Sequence, residues 1–351
     1  MSAAPRAPDG CAEGGRAQTG GVTSISRRGV LALGAGLVAG VAGCTSSSRH
    51  PTAAASSPSV RPSPTLTHPG PSPSPSASAL HVTAPWRPSP NDIQPQVKLR
   101  AVRLIEALGT WPVGGQGVAA ARRRAAAAGY DPALADQAGG LLTAAPEAAV
   151  QVLAAQYGGI LSDSASVLVV CRQYTPGNDS GGTTVDVRLS AAQPQWDVTA
   201  LHPAAPGAPA ASLSGAARAV LADVEAITLP PAAHADVLSG NVHDSALNAM
   251  LTLARSHRIM LSVVRSGHPI YVFGTNRPSD HPQGRAFDVW TIDGHAVIDP
   301  ATPRALVESF MRAAAAAGSY NVGGPYLLPG AGNQFFSDDT HHDHVHVGFD
   351  F

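Results

Sequence analysis

PSDHPQGRAFDVWTI, residues 278–292, and HVHVGFDF, residues 344–351, are the two stretches on which the fold turns. In the first, RAFDVWTI alternates with the two-residue period of a strand, so Ala286, Asp288 and Trp290 share one face. The terminal run alternates in the same way: His344, His346, Gly348 and Asp350 lie on one face, and Val345, Val347, Phe349 and Phe351 on the other. Each run thus reads as a strand with an apolar side for a core and a side carrying imidazoles or a carboxylate. Four of the chain's fourteen histidines fall within its last eleven residues.

Working outward, DSALNAMLTLARSH (244–257) has helical spacing behind an acidic N-cap, and IMLSVVRSG (259–267) reads as a strand ending at a glycine. DPATPRALVESFMRAAAAAG supplies a helix from about 302 to 317. Helices kept apart from strands make an α+β domain, expected over residues 213–351 with its first helix starting near Ser214. A Pro/Ala-rich connector separates it from a smaller α+β accessory domain over 95–205. There VKLRAVRLIEAL, GVAAARRRAAAAG and PEAAVQVLAAQYGG (146–159) read as helices, and SVLVVCRQY (166–174), TTVDVRLS (183–190) and WDVTALHP (196–203) as strands. This region shows no recognisable chemistry. Cys171, inside an apolar strand, reads as a buried structural thiol.

The N-terminal quarter has a different character. SRRGVLALGAGLVAGVAGC (26–44) combines a twin-arginine export signal with an apolar stretch too short to span a membrane. It ends in Val41-Ala42-Gly43-Cys44, similar to a lipobox, whose cysteine is lipidated and becomes the mature N-terminus; an uncleaved anchor is the alternative. Residues 45–94 are dominated by Ser, Pro, Thr and Ala, a composition expected to remain a disordered stalk. The remainder is therefore expected at the cell envelope, outside the cytoplasm, tethered to the membrane through Cys44.

Charged residues make up 13% of the chain and the net charge is −1, so no basic field exists to hold nucleic acid. Lysine occurs once, at Lys98, in neither a phosphate-binding loop nor an S-x-x-K setting. No G-x-S-x-G occurs either. The histidines point to metal chemistry instead. Catalytic zinc takes three His, Asp or Glu ligands and leaves one position for water. His281 and Asp288 can converge if Gly284 lets the chain turn tightly and small Ala286 leaves room. The last strand then brings one or two imidazoles to the same point.

The pattern Ser279-x-His281-x-x-Gly284-x-Ala286-x-Asp288, followed by His344-x-His346, resembles the signature of the LAS zinc peptidases. Within that group it is similar to the D-Ala-D-Ala carboxypeptidase and murein endopeptidase branch, over about residues 240–351. The resemblance implies a LAS/hedgehog-like antiparallel sheet with helices, with Zn2+ held by His281, Asp288 and His346. It also implies a peptidase acting on peptidoglycan stem peptides, as D,D- or L,D-carboxypeptidase or endopeptidase. A catalytically inactive zinc-binding module of the same fold is the alternative.

The match departs from the family at the general base. Many carboxypeptidases carry a Glu three residues before the last ligand; here that position is Asp343. His341-x-x-His344-x-His346 resembles the endopeptidase branch, in which the first His of H-x-H is the candidate base, so His344, Asp343 and His341 all stand as candidates. In a regular strand the Asp343 side chain would face away from His346. VVRSGHP (263–269) resembles the family's S-G-Y-R strand, which makes Arg265 a candidate for holding a substrate carboxylate or oxyanion.

Overall fold

The computed structural model describes residues 80–351. The export signal, Cys44 and the stalk up to residue 79 lie outside the described residues.

The elements run α1 (Pro95–Gly109), α2 (Val118–Ala127), β1 (Ala149–Ile160), β2 (Ser164–Thr175), β3 (Asn178–Ser190), β4 (Asp197–Pro203), α3 (Gly215–Ala222), β5 (Ile227–Thr228), α4 (Pro231–Leu238) and α5 (Asp244–Ala254). They continue with β6 (Ile259–Leu261), β7 (Ala286–Ile292), β8 (His295–Ala296), α6 (Arg304–Ala316), β9 (Asn321–Gly323), β10 (Phe335–Phe336) and β11 (Val345–Gly348). The architecture is α+β with two sheets. β1 to β4 form an antiparallel meander; the second sheet runs β10-β9-β11-β7-β6-β5, with β8 added to β7. Its centre is antiparallel, but β10 pairs with β9 and β5 with β6 in parallel, so the sheet is mixed rather than purely antiparallel as expected.

Each sheet has its own core. Val97, Ala101, Leu104, Ile105 and Leu108 follow the helical period along one side of α1 and pack with Val167, Val169 and Cys171 of β2. Leu168 and Val170, on the opposite face of β2, join Ala154 in a separate cluster with Trp290 of β7 and with Val263 and Ile298, which follow β6 and β8. The first sheet is thus buried on both sides, and its outer face presses on the neighbourhood of β6 and β7. Behind the second sheet α5 and α6 supply Leu247, Met250, Val307 and Phe310 to a core shared with Phe287, Val289, Val345 and Val347.

Two expectations fail here. PEAAVQVLAAQYGG is not helical: residues from Ala149 onward form the long strand β1, paired with β2 from Ala149↔Tyr174 to Ile160↔Ala165. Alanine favours a helix locally, but a buried partner strand offers every second side chain a packing site, and that tertiary gain overrides propensity. The packed head also starts before residue 95. The Thr83 hydroxyl donates to the Val150 carbonyl, the Ser89 hydroxyl donates to the Ile298 carbonyl, and Asp92 is buried, so the expected stalk does not extend to 94.

The remaining expected helices and strands are present, but the strand expected over 259–267 is confined to Ile259–Leu261 and the terminal one to Val345–Gly348. Ser214 caps α3 by accepting from the Ala217 amide. His243, not the acidic Asp244, occupies the N-cap of α5, and Asp244 instead accepts from the Ser214 hydroxyl. Among the described residues no helix is long and apolar enough to cross a membrane.

Candidate metal centre

β7 and β11 are adjacent antiparallel strands, and their register sets His346 directly opposite Asp288. On the other side of β11, His346 pairs with Gly323 of β9, whose missing side chain leaves room for the Phe336 and His341 rings. His281 arrives from the loop before β7. Gly284 makes that approach possible, with φ of +74° and the Asn241 carbonyl oxygen 2.1 Å from where a Cβ would sit. The Gly284 amide closes the turn on the His281 carbonyl at 2.8 Å. Any side chain at 284 would collide with that backbone.

The result is a close triangle of donors. His281 Nε2 lies 3.1 Å from Asp288 Oδ1 and 3.1 Å from His346 Nδ1, and His346 Nδ1 lies 3.0 Å from Asp288 Oδ1. All three side chains are buried. A tetrahedral zinc with bonds of about 2.1 Å holds its donors about 3.4 Å apart, so this spacing suits such an ion after a small outward adjustment. The tautomer suits it too. His281 Nδ1 donates to the Val264 carbonyl at 2.8 Å, which leaves the Nε2 lone pair of the neutral ring aimed at the other two donors. Burial pushes the His346 imidazole down to about 4, with Asp288 opposing the shift, and so favours the neutral, lone-pair form. Burial works to raise the Asp288 carboxyl, but His281 and His344 outweigh it and hold the carboxyl well below the usual range, as a carboxylate.

His268, His281 and Asp288 also form a cluster with donor atoms within 4.8 Å of one another, capable of holding a metal ion. His346 fits the centre better than His268 does. The His268 and His281 rings are stacked, 4.1 Å apart and 18° from parallel. An ion lies in the plane of each imidazole that binds it, and two stacked planes do not meet nearby. The His281 and His346 rings are tilted by 58°, so their planes converge.

His344 stands beside the triangle. Its Nε2 is 3.7 Å from Asp288 Oδ1, and its Nδ1 donates to Asp343 Oδ1 at 2.6 Å. Burial alone would lower this imidazole; Asp288 and Asp343 outweigh it and raise it above its ordinary value. Asp343 does not turn away from the site as strand alternation suggested. It lies before β11, with φ −108° and ψ −4°, outside strand geometry. Its second oxygen, Oδ2, accepts from Lys98 Nζ at 2.5 Å and from the Tyr157 amide at 3.1 Å. Burial would raise its carboxyl, but the Lys98 ammonium and His344 lower it. With both oxygens engaged, Asp343 is poorly placed to take a proton from water.

His341 lines the cleft, and its Nδ1 bonds Asp338 at 2.7 Å. Arg265 is elsewhere: its guanidinium donates to the Pro206 carbonyl at 3.2 Å and lies 3.8 Å from Asp236, away from the residues lining the cleft. The cleft over the triangle encloses about 680 Å³. One wall comes from β1 through Tyr157, Gly158 and Ile160, and Arg277 and Asn321 also line it. The Asn321 side-chain oxygen is buried without a hydrogen-bond partner.

Sequence reasoning passed over Gln156, Lys98, Arg277 and Asn321. Gln156 Nε2 donates to Asp288 Oδ2 at 2.6 Å, and its amide oxygen accepts from the Ser262 hydroxyl. The one available signal was Lys98, a solitary lysine inside an amphipathic helix. Comparison with protein-family models, curated proteins and solved structures returned no match to this chain.

Proposed function

We propose that this protein is a zinc-dependent peptidase acting on peptidoglycan peptides at the bacterial envelope. The observation that carries the reading is the triangle of His281, Asp288 and His346, with His344 Nε2 3.7 Å from the shared carboxylate oxygen. The donor set fits zinc: two imidazoles and one carboxylate, with an open cleft on one side.

His281, Asp288 and His346 would hold the ion. Zinc in such a site supplies Lewis acidity toward the scissile carbonyl and acidifies water toward a pKa of about 7. His344 takes the proton of the attacking water on Nε2 and returns it to the leaving amine. Asp343, accepting from Nδ1, keeps that ring in the tautomer and orientation the transfer requires. Arg277, on the cleft wall, offers a positive charge for the peptide's carboxylate. The motif spacing, similar to that of the LAS peptidases, and the lipobox-like Cys44 behind a twin-arginine signal support a cell-wall substrate.

The test is digestion of purified peptidoglycan by zinc-loaded and chelator-treated protein, with mass analysis of released fragments. Loss of a terminal D-Ala marks a carboxypeptidase, and separated cross-links mark an endopeptidase. No release by zinc-replete protein rejects the peptidase reading and leaves the zinc-binding module.

A further inference from the structure

The chain's single lysine is fully buried at the junction of the two sheets. Lys98 comes from the first turns of α1, and its ammonium is clamped between Asp92 and Asp343. The Tyr157 ring lies 4.9 Å from the ammonium and the Trp290 ring 6.0 Å. Asp92 is itself fixed, because its Oδ2 accepts from the Ser89 amide at 2.7 Å. A continuous chain of charge-assisted hydrogen bonds therefore runs from Ser89 through Asp92, Lys98 and Asp343 to His344 Nδ1.

We infer that Lys98 is a positioning residue for His344, acting through Asp343, and that the four-stranded unit thereby completes the catalytic site. The inference rests on the reading of His344 as the proton acceptor. Without Lys98 the Asp343 carboxylate would keep only the Tyr157 amide, at 3.1 Å, on Oδ2 and would be held less firmly about its own χ2. His344 would then lose the fixed acceptor that directs Nε2 toward the metal centre. The same unit braces the other side of the centre, where Gln156 holds Asp288. A buried ammonium between two carboxylates is costly to assemble for stability alone, since an apolar replacement of the whole group is often as stable. Its geometry makes sense as a device for orientation.

The test compares full-length, zinc-loaded wild type with Lys98→Met/Asp92→Asn, which removes one positive and one negative charge together. Lys98→Met, which removes the donor and leaves Asp92 in place, is the second variant, and the readings are taken on whichever variant keeps its fold and zinc. The spectroscopic reading is the Nδ1 proton of His344 in 15N-histidine-labelled protein, assigned by its loss in His344→Gln. A far-downfield signal is expected in wild type, shifted upfield or lost to exchange in the variant. The kinetic reading is a fall in kcat of about ten- to hundredfold with KM changed little, the usual scale for an outer-shell partner. An unchanged His344 signal in a folded variant overturns the inference, as does absence of the downfield signal from wild type. If wild type cleaves no peptide, the peptidase reading fails while the magnetic-resonance comparison still decides whether Lys98 positions His344.

Discussion

His346 lies directly across the β7–β11 ladder from Asp288, with 3.0 Å between their facing donor atoms. Two of the proposed ligands are therefore placed by backbone register rather than by a loop, and only His281 depends on the loop conformation at Gly284. Central strands are the stiffest places in a domain to mount a site. This arrangement predicts that the fold survives metal removal locally but loses stability globally. An ion present at a hundred times its dissociation constant stabilises the native state by about 2.7 kcal/mol. Chelator treatment should lower the thermal midpoint of wild type and leave that of His281→Ala unchanged. Elemental analysis should find zinc in wild type and background levels in His281→Ala and Asp288→Asn. Zinc retained by both variants would place the ion elsewhere.

Gln156 tests whether the neighbouring sheet tunes the metal. Its amide holds Asp288 Oδ2 at 2.6 Å and so orients Oδ1 toward the centre. Gln156→Leu should weaken zinc binding by about 10–100-fold, as loss of outer-shell partners usually does. Competition against a chromophoric chelator measures it. Affinity equal to wild type would mean that the β7–β11 register alone orients the carboxylate.

How far the sequence revealed this site depended on the distance between partners along the chain. His281, Gly284, Ala286 and Asp288 lie within eight residues, and His344 and His346 within three, so spacing and strand period locate them. Lys98 meets Asp343 across 245 residues, and Gln156 meets Asp288 across 132. No local pattern encodes such contacts; they follow from the packing of one sheet on another. The misreading of β1 compounded this. As a helix, 146–159 would have hidden Gln156 and Tyr157 in an alanine-rich repeat, whereas the strand delivers both to the metal centre. Asp343 differs for a related reason: strand alternation carried one residue back from His344 enters a segment that is not extended. Arg265 stands in a motif-like stretch yet lies away from the cleft, while Arg277, with no motif around it, lines the cleft.

Cys171 provides a check on the first sheet independent of the metal. Burial pushes its thiol up to about 11, and the thiol donates to the Thr183 carbonyl at 3.1 Å. A thiol raised in the folded state favours folding below its unfolded value and loses that contribution as pH rises from about 9 to 11. Two pKa units correspond to about 3 kcal/mol, an upper figure for the resulting alkaline destabilisation. Peptide mapping after alkylation at pH 8 should find Cys171 unmodified in native protein and modified in denaturant. Rapid native modification would contradict the buried β2 packing.

The division of labour between His344 and Asp343 is the sharpest test of the mechanism. His344 Nε2 sits close enough to Asp288 Oδ1, at 3.7 Å, to serve either as proton acceptor or as a fourth ligand. A fourth protein ligand would close the position that catalysis needs for water. As the acceptor, His344→Ala should keep zinc and fold while losing cleavage by about 10²–10⁴-fold. Loss of zinc on the same change would identify a closed structural centre. Asp343→Asn tests the partner's role. An amide placed in the same way turns either its oxygen to His344 Nδ1 or its nitrogen, and it meets Lys98 Nζ with the remaining group. Either orientation leaves a donor facing a donor or weakens the bond to Lys98, so the His344 ring should lose its fixed tautomer. Activity should therefore fall with zinc retained, although Asp343 itself takes no proton from water. Asp343→Asn with full activity would remove the carboxylate from the mechanism and return the base role to His344 unaided, or to His341 across the cleft.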